Sequence, residues 1–295
     1  MQVYFPSYYN KFSCIADACG HSCCVGWEIL LDTVTEKRLM TLGDEVARHI
    51  SHGTIKLCDD GRCPFLTESG LCTLICGYGE DVLSDICHHH PRFYHRVGDR
   101  IEGGIGASCE EACRLILSSD DYSVFLPQER DCTPPEETNF DTLTQREWIY
   151  SVLSDRGKSF EARIKEIKER YDLRDLNFDQ EVWNGVLLDI EYLYESNRGR
   201  FSVGKAVNRE ENHPLLERFF AYLLFRHVSI ADSREDFRAR LGFCLLLTSI
   251  LEKYLSDRDV TFEETVDFVR ALSEEIEYSE ENTESLIFEI TLDLI

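Results

Sequence analysis

Four thiols fall within eleven residues at CIADACGHSCC, 14–24, and the last two, Cys23 and Cys24, are adjacent. The chain holds thirteen cysteines in 295 residues, and twelve of them precede residue 133. Cysteine packs as a small hydrophobe, but its reactivity usually decides whether it is kept. Clustered thiolates repel one another unless a cation neutralises them, and zinc or an iron–sulfur cluster does so. An odd count excludes complete internal disulfide pairing. Three further blocks carry cysteines: CPFLTESGLC at 63–72, LSDICHHHPRF at 83–93 and SCEEACRLIL at 108–117. None is a complete conventional site. No C-x2-C pair exists, which excludes a zinc ribbon. The radical-SAM spacing C-x3-C-x2-C fails because Cys19 and Cys23 are followed by Gly26. Successive side chains diverge, so Cys23 and Cys24 are expected to face two sites, or to divide into one ligand and one supporting thiol.

The residues Phe12, Cys14, Cys19, Cys23, Cys24, Gly26 and Trp27 form the first block's pattern. Cys63, Pro64, Phe65, Leu66, Leu71 and Cys72 form the second, and Leu83, Ser84, Cys87, Pro91 and Arg92 the third. Ser108, Cys109, Glu111, Ala112, Arg114 and Leu115 complete the fourth. In this order the blocks resemble the flagellin lysine N-methylase family and, more distantly, small eight-cysteine zinc- or iron-chelating domains. The likeness covers about residues 4–117. It implies a protein-lysine N-methyltransferase that uses S-adenosylmethionine (SAM), acts on flagellin lysines and holds a [4Fe–4S] cluster, with zinc as the alternative metal. It further implies a ligand set of Cys14, Cys19, Cys23, Cys24, Cys63, Cys72, Cys87 and Cys109. A metal- or cluster-binding protein without enzymatic activity is the alternative.

Departures from the family pattern are local. His88, His89 and His90 replace its Arg-x-Tyr, and neutral imidazole is a common metal ligand. Glu110 stands where proline is usual, and Cys58, Cys76 and Cys113 are extra thiols. The lysine amine must be neutral to attack a methyl sulfonium, which calls for desolvation or a general base. Candidate bases beside the cysteine blocks are Glu111, Asp85 and Tyr94. Candidate SAM contacts are Gly103, Gly104 and Gly106 of EGGIGAS, and Arg92, although no βαβ frame surrounds those glycines. Trp27 and Phe65 are expected to pack around the metal, and Cys132 and Cys244 to be non-ligands.

The elements that position these residues differ along the chain. The front is punctuated by Gly, Pro and His, which predicts short helices and loops. DCTPPEETNF, 131–140, reads as a linker. Beyond it the apolar period becomes helical, with Trp148, Ile149, Val152 and Leu153 on one stripe. Helices are expected over 142–155, 160–171, 179–196, 214–229, 233–256 and 261–278. Capping-box spacing marks Thr142 with Gln145 and Thr261 with Glu264. The expected fold is mainly α: a cysteine-rich metal-binding region of short helices and loops at 1–130, packed on a helical bundle at 141–295. The formal charge of -24 disfavours a nucleic-acid partner. No apolar run reaches the roughly 18 residues of a membrane span, and no leader pattern opens the chain. The expectation is a cytoplasmic protein with no membrane partner.

Overall fold

The structure is a computed structural model, and it describes residues 2–294 apart from Asp99, 130–139, Asp175 and Asn208. Most of the expected linker, and Cys132 with it, lies outside the described residues. The fold is mainly α. Its strands are β1 (Gln2–Pro6), β2 (Ile29–Leu30), β3 (Ile50–Ser51), β4 (Thr54–Ile55), β5 (Arg92–Val97), β6 (Arg100–Ile105) and β7 (Phe125–Glu129). The front helices are α1 (Thr33–Met40), α2 (Asp44–Ala47), α3 (Thr73–Tyr78), α4 (Asp85–His89) and α5 (Glu110–Ser118). Beyond the acidic segment come α6 (Thr142–Leu153), α7 (Phe160–Arg170), α8 (Gln180–Asp189), α9 (His213–His227), α10 (Arg234–Asp257), α11 (Phe262–Leu272) and α12 (Glu280–Asp293).

Two compact units result, and they do not break where the sequence expectation put the break. One contains residues 1–12, 94–108 and 112–295; the other contains 13–93 and 109–111. The reason is strand pairing. β1 lies parallel to β6, with Val3 opposite Ile101, and antiparallel to β7, with Val3 opposite Gln128. The order β5-β6-β1-β7 makes a four-stranded sheet. It ties the chain's start to segments about a hundred residues on and places both with the helices.

The helical unit has a dense core. Phe219, Phe220, Tyr222, Leu223 and Phe225 of α9 are all buried, so the helix is enclosed on every face rather than on one stripe. Charges are buried there in ion pairs. Glu102 on β6 receives both Arg146 Nη atoms, at 2.6 and 2.7 Å, and Arg100 Nε at 2.9 Å. Glu217 accepts from Arg163 at 2.7 Å and from the Tyr122 hydroxyl at 2.6 Å. A π-helical turn, Ser273–Glu277, follows α11 and turns glutamates inward. Of these, Glu275 accepts from the Leu193 and Tyr194 amides and Asn197 Nδ2. Glu277 meets His227 Nε2 at 2.7 Å.

The cysteine unit is built from shorter pieces. A three-stranded sheet of two-residue strands, ordered β2-β4-β3, and the helices α1 to α4 surround a small core of Ile29, Leu31, Leu39, Val46, Ile50, Ile55, Cys63, Phe65 and Leu74. Asp32 starts α1 by accepting the Val34 and Thr35 amides.

Candidate metal centre

The thiols are gathered by backbone pairing before any metal enters. Val25 and Arg62 form an antiparallel bridge, and the Cys63 amide donates to the Cys24 carbonyl at 2.8 Å. The chain then turns back on itself: Leu66 bridges Cys72, and the Thr73 amide donates to the Phe65 carbonyl at 2.8 Å. Gly70, at φ 83°, holds the left-handed residue of that turn, where a side chain is strained. Cys72 ends on the N-cap of α3. Cys87 sits in the first turn of α4, whose cap Ser84 accepts the Cys87 amide at 3.3 Å. These four residues share one apolar cluster: Cys63 is among its buried members, and Cys24, Cys72 and Cys87 pack against it beside Phe65. Phe65 thus packs with these thiols.

The other four are not members of that cluster. Cys14 Sγ accepts the Ala16 amide at 3.4 Å, and Cys19 Sγ donates to the His21 carbonyl at 2.9 Å. Cys14 and Cys23 are exposed, whereas Cys19 and Cys109 are half-buried. Cys23 lies within electrostatic reach of Cys14 and Cys109, and Cys19 within reach of Cys14. Glu110, beside Cys109, binds this segment: its Oε2 accepts the Gly20 amide at 2.8 Å and lies 3.7 Å from Cys19 Sγ. The sequence flagged Glu110 only as a departure; the structure gives it this task.

The adjacent pair belongs to both groups. The adjoining Cys23 and Cys24 thiols act on each other, which pushes Cys23 far up and lowers Cys24 to about 7. Burial pushes Cys63 up to about 12 and raises Cys72, Cys87 and Cys19. Thiols so placed resist ionising together, and a bound cation reverses that by stabilising thiolates. Among the described residues no three His, Cys, Asp or Glu side chains already converge as metal ligands. The donors nevertheless fit a thiophilic metal, because all eight are thiols, none of the twelve described cysteines is in a disulfide, and each stands near others.

The remaining candidates are dispersed. Asp85 is exposed on the first turn of α4 and Glu111 is half-buried near the start of α5, both in the cysteine unit. Tyr94 belongs to the helical unit, where its hydroxyl lies 3.1 Å from that of Tyr9. Gly103 and Gly104 run inside β6 and Gly106 just follows it, all buried. A side chain on Gly103 would strike Phe5 at 2.5 Å, and one on Gly106 would strike the Tyr278 hydroxyl. These glycines admit the protein's own side chains, so no loop is open there to cradle a cofactor. Arg92 opens β5, half-buried. His88 and His89 are exposed on α4. Cys76 lies one turn beyond Cys72, and Cys58 is exposed in a loop. Cys113 is buried in the helical unit, its thiol 3.5 Å from the Val266 carbonyl, and Cys244 is buried in α10. No sequence signal pointed to a cavity of about 440 Å3 in the helical unit, lined by Tyr4, Arg100, Phe125, Arg146, Tyr150 and Ser154 among others.

The molecule is therefore a mainly α, cysteine-rich protein whose eight motif thiols stand in two neighbouring groups. Comparison with known proteins narrows this. The chain is 33% identical over 130 residues to "Flagellar biosynthetic protein FliU" of Salmonella muenchen, which covers 39% of this chain and 77% of that protein. It is also 33% identical over 130 residues to "Lysine-N-methylase" of Salmonella typhimurium and of Salmonella choleraesuis. The chain belongs to the flagellin lysine N-methylase family. It spans 32% of the length of those two methylases. No protein-family model matches the chain, and no solved structure matches it. Among the described residues no helix is long and apolar enough to cross a membrane.

Proposed function

We propose that the protein is a SAM-dependent protein-lysine N-methyltransferase acting on flagellin in the cytoplasm, with a cysteine-ligated iron–sulfur cluster. One observation carries the reading: the 33% identity to relatives named lysine-N-methylase and FliU. The eight motif thiols supply the donors for the cluster, as four thiolates hold each such centre. SAM supplies an electrophilic methyl group, and the chain's part is to desolvate and align a neutral lysine amine for direct displacement. Of the candidate bases, Tyr94 and Asp85 are exposed and Glu111 is half-buried.

The cavity of about 440 Å3 is the pocket this reading offers to SAM. Its size lies within the ~300–1,000 Å3 of small-molecule sites. Tyr4 and Phe125 supply rings for a planar base, and Arg146 Nε is a buried donor with no hydrogen-bond partner among the described residues. The test is transfer of labelled methyl from SAM to bacterial flagellin by anaerobically purified, metal-loaded protein. Label on flagellin lysines is expected; unlabelled flagellin in the presence of fully loaded protein sinks the reading. A second reading, a metal-binding protein without enzymatic activity, is favoured by the filled space at Gly103 and Gly106. Absence of SAM binding by calorimetry selects it.

A further inference from the structure

We infer that the eight thiols form two four-thiol metal centres divided at the Cys23–Cys24 peptide bond. Cys24, Cys63, Cys72 and Cys87 make the inner centre, and Cys14, Cys19, Cys23 and Cys109 the outer one. The inference rests on the metal-binding part of the proposed function and not on methyl transfer.

Three observations divide the set. The first is packing. Cys24, Cys63, Cys72 and Cys87 share one apolar cluster, and none of the other four belongs to it. The second is backbone architecture. The inner four are fixed by the 24–26 ladder with 61–63, the turn that brings Cys72 back and the cap of α4. The outer four hang on a loop, a single 3-10 turn at Ala16–Ala18 and the start of α5, where Glu110 accepts the Gly20 amide and lies near Cys19. The third is proximity. The Cys23 and Cys24 thiols adjoin one another, and beyond that contact Cys24 lies within electrostatic reach of Cys63, Cys72 and Cys87, while Cys23 lies within reach of Cys14 and Cys109.

Stoichiometry agrees with the division. A structural zinc or a [4Fe–4S] cluster takes four thiolates, so eight exceed the need of one centre. The environments then assign different lability. The inner centre packs against Phe65, Leu66, Leu74 and Leu83, with Cys63 buried and Cys24, Cys72 and Cys87 half-buried. The outer centre has two exposed ligands, Cys14 and Cys23. The inner centre is therefore the structural one, and the outer centre exchanges its metal with the surroundings.

The test uses the whole chain, loaded anaerobically with ferrous iron and sulfide in one arm and with zinc alone in the other. Metal per chain is measured, and a chelator is then added with an alkylating agent, each cysteine being followed by mass spectrometry. Two equal loads are expected. Half the metal should leave at least ten times faster than the rest, with alkylation appearing first at Cys14, Cys19, Cys23 and Cys109. The exposed-ligand variant Cys14→Ser should lose half the load and keep the slow fraction. One load protecting thiols from both groups overturns the division and leaves metal binding standing, as does loss of the entire load in Cys14→Ser. If neither arm loads metal and all eight thiols alkylate alike, the metal-binding reading falls and the division falls with it.

Discussion

The two units keep their shape by different means. The helical unit encloses whole aromatic helices and buried ion pairs, such as Glu102 with Arg146. The cysteine unit has two-residue strands, helices of four to eight residues and a core of nine buried side chains. A core that small rarely suffices alone, and natural small scaffolds add metals or disulfides. The comparison shows where the proposed centres would matter most: metal-bound thiolates would stand in for the hydrophobic burial that this unit lacks.

Metal removal should separate the units most sharply. Structural thiolate sites contribute on the order of 10 kcal/mol to folding. Stripped of metal, the protein should lose amide protection across residues 13–93 while α9 and α10 keep theirs, as read by hydrogen exchange. Equal loss in both units, or in neither, breaks the comparison. Glu102→Ala is the converse probe. It leaves Arg146 buried without its carboxylate partner, and breaking such a pair costs about 3–5 kcal/mol. Thermal melting of the helical unit should drop accordingly, with bound metal per chain unchanged.

Acid should act on the helical unit through the same groups. Burial keeps His95 and His227 below the ordinary 6.5. Burial works against charge on Glu102 and Glu277 too, yet Arg146 and Arg226 hold their carboxyls below the ordinary 4.5. All four are depressed in the folded chain, so the unfolded chain takes up protons first as pH falls. Stability is full above about pH 6.5 and declines below it through the histidines. It declines further below about pH 4.5 through the carboxylates. Exchange protection in α9 and α10 between pH 7 and 4 measures this; flat protection counts against it.

What the sequence disclosed follows the range of the interactions. The Thr261–Glu264 capping box is local, and it forms with both reciprocal bonds. Thr142 with Gln145 had the same spacing, but Asp141, one residue earlier, accepts the Thr144 amide and takes the cap. The Thr142 hydroxyl donates instead to the Ala231 carbonyl, 89 residues away. The sheet was illegible because β1 is five residues long and finds its partners near 101 and 128. α12 escaped because the π-helical turn at 273–277 interrupts the period that precedes it. Among the thiols, membership of the set was written in the four blocks. Its division was not, since it depends on which sulfurs the 24–26 ladder and the α4 cap bring under Phe65.

The finest contrast is between the two thiol groups, and Glu110 tests it. Glu110 is the first residue of α5, a position that accepts proline because the amide there has no intrahelical partner. Glu110→Pro should therefore keep the helix and remove the carboxylate that binds the Gly20 amide. Glu110→Gln keeps an acceptor at the same reach but removes the charge. A hydrogen bond to a charged group is worth roughly 1.5–3 kcal/mol, and less where water competes. The expected effect is about a fivefold faster release of the outer metal in Glu110→Pro, a smaller change in Glu110→Gln, and no change in the slow fraction. Equal acceleration of both fractions would mean that Glu110 supports the unit as a whole, because a carboxylate that only positions Cys19 has no route to Cys63 and its neighbours.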